Sequence, residues 1–110
     1  MYIQIDSNAR ERLEKSLNGQ AGYFKLITEY EGCSTGSNYS ILLISEPEAT
    51  DRVIESDAFH FVIDPHQEIY FEDTLRLKGH LTFSSYRLSS DSMLYSDHVI
   101  LKDRRTATSV

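Results

Sequence analysis

The chain has 110 residues, with 11 lysines and arginines against 17 aspartates and glutamates, and its formal net charge is −6. This length predicts one domain, and an acidic surface repels phosphate backbones, so we expect no nucleic-acid partner. A single cysteine excludes an internal disulfide, and no apolar stretch approaches the roughly 20 residues that cross a membrane. The opening residues lack the charged and apolar regions of a signal peptide, so we expect a cytoplasmic protein without membrane contact.

The first predicted elements are a strand and an amphipathic helix. Residues 2–5 alternate as a short strand, and residues 6–8 then offer three candidate N-caps. Three apolar residues follow at intervals of four, on one face of a helix: Ala9, Leu13 and Leu17. Gly19 suits the left-handed position that ends a helix. We expect this helix to pack on a sheet through its narrow apolar face.

Two strand-like runs, Tyr23–Tyr30 and Tyr39–Ser45, flank a polar segment that holds Cys33. Gly32 and Gly36 bracket the cysteine and permit a sharp turn, so the two runs predict a long hairpin. Two interpretations stay open, an ordinary hairpin loop with an incidental cysteine or a loop that presents a thiol. Glutamates close to the cysteine disfavour its thiolate, so we do not expect a highly reactive catalytic cysteine.

Short strands and polar turns make up the rest of the chain. The acidic segment 46–51 is expected to be a solvated connection. Asp64 is a candidate cap for a short helical turn, with Pro65 at its first position and Gln67 at the capping-box position. Further strands are expected at residues 52–55, 59–63, 75–83 and 98–102.

Two later features carry weaker patterns. Gly79 interrupts the strand predicted at 75–83 and suggests a bulge. Residues 84–97 are rich in serine and are expected to form mostly loop, with room for one strand. Apolar alternation along the better-defined strands predicts a core beneath the helix, made of Phe24, Leu26, Ile41, Leu43, Phe61, Ile63, Leu75, Leu77 and Leu81.

In their order and spacing, these residues resemble the HesB-like, A-type iron–sulphur cluster biosynthesis family. The resemblance covers about residues 1–85: an opening strand and helix, the segment Gly32-Cys33-Ser34 with Gly36 just before an apolar strand, and Val62-Ile63-Asp64-Pro65 at a short helical turn. It implies an α+β, mainly β fold, a single HesB-like domain of short, mostly antiparallel strands with one N-terminal helix. We expect the domain at residues 1–103 and a flexible tail at residues 104–110.

The resemblance also implies a function. A-type carriers end in a Cys-Gly-Cys motif, which this chain lacks, so only Cys33 is carried over as a metal-binding and cofactor-binding residue. The expected function is that of an accessory protein in iron–sulphur cluster assembly that binds or carries iron or a cluster, weakly held. Its partners would be assembly or recipient proteins, and the protein would be a monomer or homodimer.

No residue pattern predicts catalysis. The four histidines form no paired ligand motif, and no nucleophile elbow, ordered triad or phosphate-binding loop is present in the sequence. We therefore expect no enzyme and no catalytic residues. The alternative to the carrier is a protein-interaction domain on the same scaffold that binds no metal and has no cofactor.

Overall fold

The computed structural model of the chain describes residues 1–30, 37–79 and 85–105. Its elements, in chain order, are β1 (Tyr2–Ile5), α1 (Ser7–Leu17), β2 (Tyr23–Tyr30), β3 (Ser37–Ile44), β4 (Arg52–Ser56), β5 (Phe61–Ile63), a short 3-10 helix (Pro65–Tyr70), β6 (Thr74–Gly79), β7 (Tyr86–Ser90) and β8 (Leu94–Asp103). The fold is therefore mainly β with one N-terminal α-helix, as expected. No helix among the described residues is long and apolar enough to cross a membrane.

The strands close on themselves in the order β1-β4-β5-β2-β3-β8-β7-β6. The pairs β2–β3, β4–β5, β6–β7 and β7–β8 are antiparallel. The pairs β1–β4, β1–β6, β2–β5 and β3–β8 are parallel. The expectation of mostly antiparallel strands thus holds only in part. Each antiparallel pair joins two strands that follow one another in the chain, whereas each parallel pair joins strands that are not consecutive in sequence.

One apolar core fills the space inside the strands and beneath α1. Eight of the nine predicted strand residues are fully or almost fully buried in it, and Leu81 lies outside the described residues. Ala9 and Leu13 are buried on the helix face, while Leu17 is partly buried. The core also contains residues that the prediction did not include: Ile3, Ile5, Ile54, Tyr86, Leu88 and Val99.

Both ends of α1 are fixed by the residues that the sequence indicated. The Asp6 carboxylate accepts a hydrogen bond from the Ala9 N–H at 2.7 Å and one from the Gly79 N–H at 3.3 Å, which ties the helix to β6. Asn18 and Gly19 end the helix with φ of 55° and 74°. Gly79 forms no bulge, because its pairing with β7 continues in register. A Cβ there would lie 3.1 Å from the Ala9 nitrogen, so glycine permits the close approach of α1.

The largest departure from the sequence prediction lies between residues 84 and 97. Instead of mostly loop, this region contains β7 and the beginning of β8. In β7, buried Tyr86, Leu88 and Ser90 alternate with less buried residues. A serine on the inward face weakens the apolar alternation by which a strand is predicted.

The end of the described chain is also held in place. Arg104 donates its N–H to the Leu43 carbonyl at 2.7 Å. The Arg105 guanidinium donates to the Leu17 and Ser16 carbonyls at 2.9 and 3.1 Å, at the carboxyl end of α1. These two residues were expected in a flexible tail but are hydrogen-bonded to the domain. Residues 106–110 lie outside the described part, and a flexible tail there stays a prediction.

Candidate functional site

The candidate site belongs to the hairpin of β2 and β3. The two strands pair without interruption from Tyr23 opposite Ile44 to Tyr30 opposite Ser37, so the long hairpin is confirmed. Residues 31–36 connect the paired ends. The predicted ligand, Cys33, lies in this connection and therefore outside the described residues. Its role stays a prediction. The structure describes the contacts of the two paired strands that lead to and from this connection.

The 3-10 helix supports one side of the hairpin through a single side chain. Gln67 accepts the Thr28 N–H at its Oε1 and donates from its Nε2 to the Thr28 carbonyl, both at 3.1 Å. This position was predicted to complete a capping box, which is wrong, because the amide is used by β2 instead. Neither the helix-capping propensity of glutamine nor its position three residues after Asp64 shows whether its side chain caps the helix or bonds to β2.

The predicted cap of the 3-10 helix is confirmed. Asp64 Oδ1 accepts the His66 N–H at 2.8 Å, and Pro65 occupies the first turn. The hydrogen bond from the His66 N–H favours the carboxylate and holds the pKa of Asp64 below its ordinary value of 3.8. The cap therefore contributes stability above that pH and loses it as the pH falls through the lowered pKa.

Replacement of Asp64 by Ala is expected to lower the thermal midpoint by about 2–8 °C at neutral pH, since the His66 N–H loses its acceptor. Asp64→Asn is the matched control, because an asparagine oxygen can cap the same turn, and it should melt close to the wild type. Thermal unfolding followed by circular dichroism measures both variants. The difference in melting temperature between wild type and Asp64→Ala should become smaller below pH 3.8. Equal melting temperatures at pH 7 would show that the Asp64 cap does not stabilise the protein.

An aromatic cluster supports the other side of the hairpin. Tyr39 of β3 contacts Phe71 and Tyr95, with ring centroids 5.9 and 5.8 Å apart, and these two rings lie 5.3 Å from each other. The Tyr95 hydroxyl accepts the Glu72 N–H at 2.8 Å. The cluster thereby links β3, β8 and the segment after the 3-10 helix, close to the end of the hairpin that leads to the cysteine.

The Glu72 carboxylate joins the same segment to the turn between β7 and β8. It accepts hydrogen bonds from the hydroxyls of Ser90 and Ser92. These bonds favour the charged form and hold the pKa of Glu72 below its ordinary value of 4.5. The serines that obscured the strand pattern therefore donate hydrogen bonds to the Glu72 carboxylate at this turn.

The acidic segment 46–51 is not simply solvated. Asp51 has a fully buried side chain, and its Oδ1 lies 3.0 Å from Nζ of Lys25, whose side chain is 11% exposed. That oxygen receives no hydrogen bond of normal geometry, so the contact is electrostatic, while Oδ2 accepts the Glu48 N–H at 2.9 Å. Lys25 points out of the core between buried Phe24 and Leu26, and the segment folds over it.

The described residues do not complete a metal site by themselves. They contain no group of three or more histidine, cysteine, aspartate or glutamate side chains placed to hold a metal ion. The His66 side chain is 96% exposed, and its Nδ1 lies 3.1 Å from the Asp64 carboxylate. The ring of His60 packs against the ring of Tyr23. His80 lies outside the described residues. The sequence has a single thiol, so an iron–sulphur cluster held by four thiolates needs ligands from beyond one chain.

The sequence matches the model of the iron–sulphur cluster biosynthesis family over residues 1–103. The chain belongs to this family. Comparison with curated proteins gives no match. The match runs from before β1 to the end of β8, so every strand and helix described above lies within the matched residues.

Solved structures share the fold. A proposed Fe-S biosynthesis protein from Lactobacillus salivarius is similar over 96% of this chain and 100% of its own, with a TM-score of 0.81 and 19% identity. IscA, crystallised with a [2Fe-2S] cluster, is similar over 81% and 85%, with a TM-score of 0.63 and 20% identity. Escherichia coli SufA, involved in biosynthesis of iron–sulphur clusters, is similar over 82% and 86%, with a TM-score of 0.60 and 17% identity. At such low identity the likeness establishes the fold alone.

Proposed function

We propose that this member of the family is an accessory protein of iron–sulphur cluster assembly that binds iron or a cluster through Cys33. The family match over residues 1–103 is the observation that carries the proposal. It is supported by the hairpin, whose paired strands end on both sides of the segment that contains the cysteine. It is also supported by the fold shared with IscA, which was crystallised with a [2Fe-2S] cluster.

The number of ligands determines how such binding would work. Iron–sulphur clusters are usually held by four ligands, and one chain offers one thiolate. Two chains would supply two Cys33 thiolates, and small thiols or a partner protein would supply the others. Binding would then be weak and reversible, as suits a cluster that is cargo for a recipient protein. We expect no catalytic turnover, and the cytoplasmic location stays a prediction.

A second candidate is an interaction domain that binds no metal. Four exposed apolar side chains favour it: Ile69, Tyr70, Met93 and Leu94. Two lie on the 3-10 helix and two at the turn between β7 and β8, and Glu72, which follows the helix, accepts a hydrogen bond from Ser92 of that turn. Large exposed apolar side chains of this kind would suit a protein-binding surface if they form one patch. In this case the protein would bind assembly components without holding iron.

Anaerobic reconstitution with iron and sulfide tests the first candidate. The expected product carries less than one cluster per chain, forms more readily with added small thiol, and sediments as a dimer in which two Cys33 thiolates share one cluster. Absorption spectroscopy, iron analysis and analytical ultracentrifugation measure these three properties. A protein that stays colourless and monomeric under both conditions would favour the interaction domain.

A further inference from the structure

One edge of β2 is incompletely paired among the described residues. On the side away from β3, the short strand β5 pairs only with Phe24–Leu26. Two residues further along β2, the N–H and the carbonyl of Thr28 point to this same side, and both are bound by the side chain of Gln67. A side chain thus stands where the next residues of a neighbouring strand would lie.

The contact copies what a strand would provide. The primary amide of Gln67 uses its carbonyl oxygen and one of its two N–H donors on Thr28, both at 3.1 Å, so Thr28 receives the donor and the acceptor that the backbone of a neighbouring strand would supply. Unpaired strand edges attract other extended chains, so natural proteins cover them. Here the cover is one side chain, and the backbone that it covers belongs to the strand that leads to Cys33.

The segment that carries Gln67 is lightly held. None of the six residues of the 3-10 helix is buried, and Ile69 and Tyr70 are 81% and 55% exposed. Glu68 forms an ion pair with Arg52 at 3.3 Å, but the arginine side chain is 67% exposed, and exposed pairs contribute little to stability. Withdrawal of Gln67 therefore removes two neutral hydrogen bonds and no core packing.

From this geometry we infer that the edge of β2 at Thr28 is a docking site for an extended segment of a partner protein. The segment adds as a strand and displaces the Gln67 amide. Main-chain hydrogen bonds supply the affinity in this mode of recognition, so the partner needs an extended backbone more than a fixed sequence. The net charge of −6 favours a basic segment. Docking at Thr28 brings the partner beside the connection that contains Cys33, and it does not depend on bound metal.

The probe is a short peptide of alternating threonine and valine flanked by lysines, titrated into the metal-free protein and followed by NMR. Weak binding that shifts the Thr28 amide is expected for the wild type. Gln67→Ala should bind the peptide about tenfold more tightly, because two competing hydrogen bonds are gone. Gln20→Ala, an exposed glutamine in the turn before β2, is the matched control and should bind as the wild type does.

A second peptide carries the same side chains but has alternate backbone amides N-methylated, and it should not bind. Equal binding of both peptides, or equal affinity of wild type and Gln67→Ala, would overturn the inference. If Gln67→Ala does not fold, Gln67→Met keeps the length of the side chain without its donor and acceptor, and the same gain is expected. If either Gln67 variant self-associates in sedimentation and does not bind the peptide, the edge of β2 pairs with a second copy of the chain. This result would also overturn the inference.

Discussion

Replacement of Lys25 by Met is expected to lower the free energy of unfolding by about 3–5 kcal/mol. The Asp51 side chain is fully buried against Lys25, so loss of the ammonium leaves a buried carboxylate without a compensating charge. Such a loss is a large share of the stability of a small domain, which is of order 5–15 kcal/mol. Urea denaturation followed by circular dichroism measures it.

Two further variants show whether the buried pair is the cause. In Lys25→Met combined with Asp51→Asn, the uncompensated charge is absent, so most of the lost stability should return. Lys15→Met removes the exposed lysine that pairs with Glu11 at 3.7 Å, and little change is expected. If Lys25→Met unfolds at the same urea concentration as Lys15→Met, the segment 46–51 does not depend on this pair.

Replacement of Leu43 by Ala is expected to cost about 2–5 kcal/mol, the usual result when a buried leucine leaves a cavity. Leu43 is fully buried and lies opposite Phe24 in the hairpin. Its Cδ1 packs so closely on Gly22 that a Cβ there would lie 2.8 Å away. The neighbourhood therefore has little freedom to close over a missing side chain.

Leu42→Ala is the matched control for Leu43→Ala. Leu42 is the preceding residue of β3, points to the opposite face and is only partly buried. Its loss should cost clearly less in the same urea titration. Equal costs for the two variants would mean that the inward and outward faces of β3 are assigned wrongly.

The sequence predicted the features that depend on local pattern. Alternation placed Phe24 and Leu26 of β2 in the core, and the four-residue spacing of Ala9 and Leu13 placed them beneath the helix. Asp64 was predictable as a cap, because aspartate is a preferred N-cap residue and proline is favoured at the helical position that follows it.

The features that were missed depend on partners far away in the chain. The burial of Lys25 is decided by Asp51, which lies beyond the whole of β3 and gives no periodic signal. Similarly, Gln67 is committed to Thr28 by a contact that spans 39 residues. The parallel pairs β1–β6 and β3–β8 join strands that are far apart in the chain, so no local residue spacing predicts them. The role of Cys33 remains a prediction from sequence, and the structure adds the contacts of the two strands that flank its segment.

The central claim is that Cys33 binds iron or a cluster, and the absorption spectrum after anaerobic reconstitution with iron, sulfide and excess small thiol tests it most directly. Three proteins are compared: wild type, Cys33→Ser and Ser34→Ala, the last as a change in the same segment that keeps the thiol. We predict that wild type and Ser34→Ala become coloured, while Cys33→Ser stays colourless and melts at nearly the temperature of the wild type. If all three stay colourless, or if Cys33→Ser is coloured as strongly as the wild type, the claim is contradicted.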